Sequence, residues 1–117
     1  MAAVTEPAEM GPAGFSLDAR QRGSTLLLSL SGEFDWAATR SVEGALDDAS
    51  GKPLAQVVFD LSDLTFIDIT ALKVILKTQE RAAASGFQMT VVRPRGLANR
   101  IFTLTRAAET LEMVDHI

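Results

Sequence analysis

The sequence predicts a single α/β domain built on a mixed β-sheet. Stretches of strand length alternate with stretches of helical periodicity from Phe15 to Val114. The first two strand-like stretches are separated by too few residues for a crossover, so they form an antiparallel hairpin. The 117 residues, 47% of them hydrophobic, suffice for one core and not for two.

Met1 to Gly14 carries Pro7, Gly11, Pro12 and Gly14 without apolar periodicity. It reads as a flexible tail preceding a domain of residues 15–117. Phe15 to Arg20 alternates apolar and polar side chains, as a half-buried strand does. Gln21 to Gly23 turns the chain, and Ser24 to Ser31 is a second strand whose solid apolar middle predicts burial on both faces. Gly32-Glu33-Phe34-Asp35 leaves that strand, and Asp35 is placed to cap a helix over Trp36–Ala49. Ala38, Val42, Ala45 and Leu46 lie on one stripe of that helix, which Ser50-Gly51-Lys52-Pro53 ends.

Ala55 to Leu61 is the next strand. Ser62 to Thr65 reads as a turn, Phe66-Ile67 as a second apolar touch, and Asp68 as an N-cap. The helix that follows, about Thr70 to Ser85, presents Leu72, Ile75, Leu76, Gln79, Ala82 and Ala83 to the core and stops at Gly86. Phe87 to Val92 is a strand broken by Pro94 and Gly96. Leu97 to Thr105 is a third helix with Leu97, Ile101 and Leu104 on its inner face. Ala107 to Leu111 adds a helical turn, and Met113-Val114 forms a short edge strand.

Composition narrows the chemistry. Eleven basic against 15 acidic residues leave a net charge of −4, which argues against non-specific binding to nucleic acid or an anionic membrane. With no cysteine and one histidine, the next-to-last His116, the usual transition-metal sites and nucleophile–base pairs lack parts. No apolar run approaches the roughly 20 residues that span a bilayer. The N-terminus lacks the basic-then-apolar order of a signal peptide, so the expected location is the cytoplasm. Glu33, Asp35 and Asp68 are three carboxylates, but nothing in their spacing brings them to one pocket, and neither catalysis, a cofactor nor a metal site is expected.

Two segments carry a resemblance: Gly32-Glu33-Phe34-Asp35, and Val57-Val58-Phe59-Asp60-Leu61-Ser62-Asp63-Leu64-Thr65-Phe66-Ile67-Asp68 followed by a helix. Together with Gly86 and the Arg-Gly segment after the next strand, they resemble STAS domains of anti-sigma factor antagonists (the SpoIIAA-like fold) over roughly residues 15–115. The resemblance implies a sheet of four to five strands with helices mainly on one face. It implies a partner-switching role, in which the antagonist binds an anti-sigma factor, often a serine kinase, and so frees a sigma factor. It further implies a phospho-acceptor directly after the motif aspartate, at a helix N-terminus. The family's usual order there is Asp, Ser or Thr, Ser or Thr, Gly. This chain reads Asp68-Ile69-Thr70-Ala71, with Lys73 where a second glycine is common. Ile69 has no hydroxyl, and Thr70 is the nearest candidate acceptor.

The partner-contact candidates are Glu33, Phe34, Asp35, Trp36, Asp68, Ile69, Thr70, Lys73, Val74 and Lys77. Each has a plainer role beside it. Asp68 serves equally as a cap, Thr70 as a first-turn residue whose hydroxyl meets backbone or water, and Ile69 as a side chain turned onto the sheet. Trp36 is either packing or an interface anchor. Lys73, Lys77 and Arg81, spaced by four, form either a solvated face or a basic docking strip. The leading functional reading is an anti-sigma factor antagonist acting as a monomer or weak dimer, without enzymatic activity, nucleic acid or membrane insertion. Alternatives are a STAS scaffold or accessory subunit of a lipid-transport ATPase or stress-sensing complex, and a nucleotide-binding sensor. The last lacks a glycine-rich phosphate loop in this sequence.

Overall fold

A computed structural model describes residues 4–5, 9–10, 14–49 and 53–116. Its elements run β1 (Val4–Thr5), β2 (Glu9–Met10), β3 (Phe15–Arg22), β4 (Thr25–Phe34), a 3-10 turn (Trp36–Ala38), α1 (Thr39–Ala49), β5 (Gln56–Ile67), α2 (Ile69–Ser85), β6 (Gln88–Val92), α3 (Leu97–Leu104), a second 3-10 turn (Ala107–Glu109) and β7 (Met113–Val114). The sheet order is β1-β3-β4-β5-β6-β7, with β2 also on β3. β3 and β4 form the expected antiparallel hairpin, closed at Arg22 opposite Thr25, while β4, β5, β6 and β7 are parallel neighbours. Within the segment read as a tail, β1 and β2 pair with β3 at Gln21, Arg20, Leu17 and Ser16. Apart from Gly14, the remaining residues of that segment, and the helix stop at Ser50 to Lys52, lie outside the described residues.

The parallel strands follow one another in sequence order. Right-handed crossovers therefore carry α1, α2 and α3 over the same face of the sheet. That face holds the core: Leu17, Leu26, Leu28 and Leu30 of the hairpin, Val57, Phe59 and Leu61 of β5, Val91 of β6, and Val42, Leu46, Leu72, Ile75 and Phe102 of the helices. The opposite face carries the cross-strand row Arg20, Leu27, Val58 and Thr90. Leu27 is only half-buried, so the burial predicted on both faces of β4 is reduced to one. No helix among the described residues is long and apolar enough to cross a membrane.

Three local expectations change. β5 does not turn at Ser62–Thr65 but continues to Ile67, hydrogen-bonded to β4 through two register shifts that absorb the polar residues. In α2, Val74 and Thr78 replace Gln79 and Ala83 on the buried face; the Thr78 hydroxyl is satisfied by the Val74 carbonyl. In α3 the buried residues are Ala98 and Phe102, while Leu97 and Leu104 point outward. Phe102 is the larger apolar group, and its burial rotates the helix away from the predicted stripe.

Candidate functional site

β4 and β5 end side by side, with Glu33 opposite Phe66 and Phe34 opposite Ile67. The chain leaves both strands into helices, so two helix starts meet at one end of the sheet. Each start is capped by an aspartate. Asp35 Oδ1 accepts from the Ala37 N–H at 3.0 Å, and Asp68 Oδ1 from the Ala71 N–H at 2.8 Å. Asp68 also spans the two segments: its Oδ2 accepts from the Trp36 N–H at 2.9 Å, while its own N–H donates to the Phe34 carbonyl. The carboxylates of Asp35 and Asp68 are thus used on backbone N–H groups.

This frame lifts three large apolar side chains into solvent. Trp36 is 70% exposed, Phe66 47% and Ile69 50%. Burying such groups is what an interface does, and aromatic anchors are enriched where interfaces bind most tightly. Beside them stand Glu33, Thr70 and Lys73, all exposed, while Lys77, also exposed, lies about two turns further along α2 from Ile69. Thr70 is the second residue of α2, in the first turn, where unpaired N–H groups and the helix dipole favour negative charge. Lys73, Lys77 and Arg81 run down the exposed side of α2, and none is ion-paired among the described residues. The groove between α1 and α2 is lined by Glu43, Leu46, Asp47, Val74, Lys77, Thr78 and Arg81.

Two candidates are corrected. Phe34 is fully buried, stacked on Phe15 with ring centroids 5.6 Å apart, and is a core residue rather than a contact. Val74 keeps only 8% exposure at the floor of the α1–α2 groove. One site residue escapes the sequence reading. Strand alternation would put Phe66 on the same side as buried Leu64, but Gly32 pairs with Leu64 and Glu33 with Phe66, so Thr65 is an extra residue and turns Phe66 out. The two neighbouring polar residues in Ser62-Asp63 and Thr65 were the available signal of an irregular strand.

Comparison with known proteins places this arrangement. The family model described as the STAS domain matches residues 16–117. The structure of an anti-sigma factor antagonist from Mycobacterium paratuberculosis superposes with a TM-score of 0.78 at 23% identity, covering 91% of this chain and 90% of that one. The anti-sigma factor antagonist SpoIIAA in its unphosphorylated form gives 0.73 at 14% identity over 84% and 87%. The phosphorylated form of SpoIIAA, a Bacillus cell fate determinant, gives 0.67 at 14% over 84% and 90%. At these identities the likenesses show a shared fold. No curated protein sequence matches the chain.

Proposed function

The chain belongs to the STAS domain family, and from that premise we propose that it is an anti-sigma factor antagonist: a binding protein of the cytoplasm that occupies an anti-sigma factor and so releases a sigma factor. The observation that carries the reading is the exposure of Trp36, Phe66 and Ile69 around the Asp68 cap, at the motif that resembles the family's. Glu33, Asp35, Thr70, Lys73 and Lys77 supply the polar rim, and Asp68 holds the two helix starts in register. The binding energy comes from desolvating the three apolar groups, with the charged rim setting orientation.

Ile69 determines how such a complex is controlled. A phosphate would bring about −1.5 to −2 charges into the contact surface and would break it by desolvation and repulsion. An isoleucine cannot be phosphorylated, and its half-exposed side chain adds apolar contact instead. Antagonism by this chain is therefore constitutive with respect to that position, and the partner is an anti-sigma factor, whether or not it is a serine kinase.

The test is isothermal titration of the chain into purified anti-sigma factors from its own organism, repeated after incubation of each kinase-type candidate with ATP. One of them binds, Trp36→Ala and Ile69→Glu weaken it about tenfold or more, and ATP leaves the complex intact. Stoichiometric phosphate on Thr70 that releases the partner would overturn the constitutive reading. Failure to bind any anti-sigma factor, with capture of a transporter ATPase instead, would overturn the antagonist reading.

A further inference from the structure

α3 is amphipathic in an unusual way: it has two apolar ridges, of which one is buried. Ala98 and Phe102 face the core, while Leu97, Ile101 and Leu104, spaced by four and three, form the second ridge. Leu97 is 76% exposed and Leu104 74%, more than any apolar residue at the β4–β5 end, and Ile101 is half-buried between the ridges. The two leucines lie about 10 Å apart along the axis, two turns of helix.

The charge around the ridge is one-sided. From Arg81 through Ala108 the chain has five arginines, Arg81 included, and not one of its 15 acidic residues, so its whole acidic excess lies elsewhere. Two of these arginines are matched from outside the stretch, Arg93 by Asp115 and Arg106 by Glu109. Arg95 and Arg100 flank the ridge, exposed and without an ion pair among the described residues.

We propose that Leu97, Ile101 and Leu104, with Arg95 and Arg100 beside them, form a second docking face, for an acidic amphipathic helix of a protein partner. Such a helix presents apolar residues seven apart, matching Leu97 and Leu104, with carboxylates at the flanks for the two arginines. The chemistry disfavours other anionic occupants. Phosphate backbones have no use for exposed leucines. A membrane-lying helix needs a long apolar face, and two leucines on an eight-residue helix do not supply one.

The experiment is an amide NMR titration of the nitrogen-labelled chain. The probe is a synthetic helical peptide of about 20 residues, two leucines seven apart in a glutamate-rich background. Vesicles rich in phosphatidylglycerol and a single-stranded oligonucleotide serve as separate arms. The peptide shifts amides within Arg95–Leu104 and leaves Trp36, Phe66 and Ile69 unmoved. Arg95→Glu with Arg100→Glu, or Leu97→Ser with Leu104→Ser, weakens it about tenfold or more. A peptide with serines in place of its leucines shifts nothing. Should the double Glu variant fail to fold, Arg95→Gln with Arg100→Gln replaces it. Absence of shifts on α3, shifts confined to another face, or binding of vesicles or oligonucleotide by α3 in place of the peptide overturns the proposal. None of these outcomes bears on the β4–β5 end, whose test is the anti-sigma factor titration.

Discussion

The carboxylate of Asp68 reaches the backbone N–H of Trp36, 32 residues earlier in the chain, at 2.9 Å. One side chain thereby fixes the starts of two helices that belong to different crossovers. Removing it breaks both the α2 cap and the tether, so Asp68→Ala costs about 2 kcal/mol, above the roughly 1 kcal/mol typical of a cap alone. Urea denaturation measures the loss. Hydrogen exchange locates it: the amides of Trp36 and Ala71 lose protection together. Loss at Ala71 alone would mean that the tether does not hold in solution.

Phe34 and Trp36 are two residues apart and have opposite environments. Phe34→Ala opens a cavity against Phe15 and costs about 3 to 5 kcal/mol. Trp36→Ala changes stability by no more than about 0.5 kcal/mol, because most of the side chain is already in water. Thermal unfolding of the two variants separates a core residue from a surface one.

The same contrast tests the orientation of α3. Phe102→Ala is as costly as Phe34→Ala, whereas Leu104→Ala lies within about 0.5 kcal/mol of the parent. The reverse order would mean that the helix faces the sheet with its Leu97–Leu104 ridge.

Gly32 sits at φ +83°, and a Cβ there would meet the Gly14 carbonyl oxygen at 1.8 Å. The Gly14 carbonyl also accepts from the Glu33 N–H, so it cannot simply move aside. Gly32→Ala costs about 3 kcal/mol or more, adding a backbone clash to the strain of a left-handed residue. Gly86→Ala, at φ +81° with open space around it, costs about 1 kcal/mol. Chemical denaturation of both variants distinguishes clash from strain.

Arg106 holds the Glu109 carboxyl below its ordinary value through two hydrogen bonds, at 2.7 and 3.1 Å. A carboxyl whose folded value is depressed stabilises above its unfolded value and loses that contribution as pH falls through the folded one. Arg106→Gln therefore raises the Glu109 midpoint, read by NMR titration, and flattens the acid limb of the stability curve. The pair is fully exposed, so the midpoint is the sensitive readout.

The order of strands and helices was legible because each element has its own period and its own breaker: the alternation in Phe15–Arg20, the stripe of Val42 and Leu46, Gly86 after α2. Asp35 and Asp68 were legible as caps for the same local reason. What escaped depends on pairing or competition. The outward turn of Phe66 follows from a register shift against β4, which no local pattern encodes. The face of α3 was decided between two apolar ridges by the bulk of Phe102, and a helical repeat alone cannot rank them. Phe34 was placed on the surface by its position in a motif, although its alternation with Leu30 and its partner Phe15 put it inside.

At its far border the sheet ends on β7, which offers only Met113 and Val114 and is pinned by the Val91 N–H to the Glu112 carbonyl and the Arg93 N–H to the Val114 carbonyl. A rim this narrow gives an incoming extended chain almost no ladder to climb. Fibril-like accretion of copies along that border is thus starved of backbone groups, and encounters there are left to side chains.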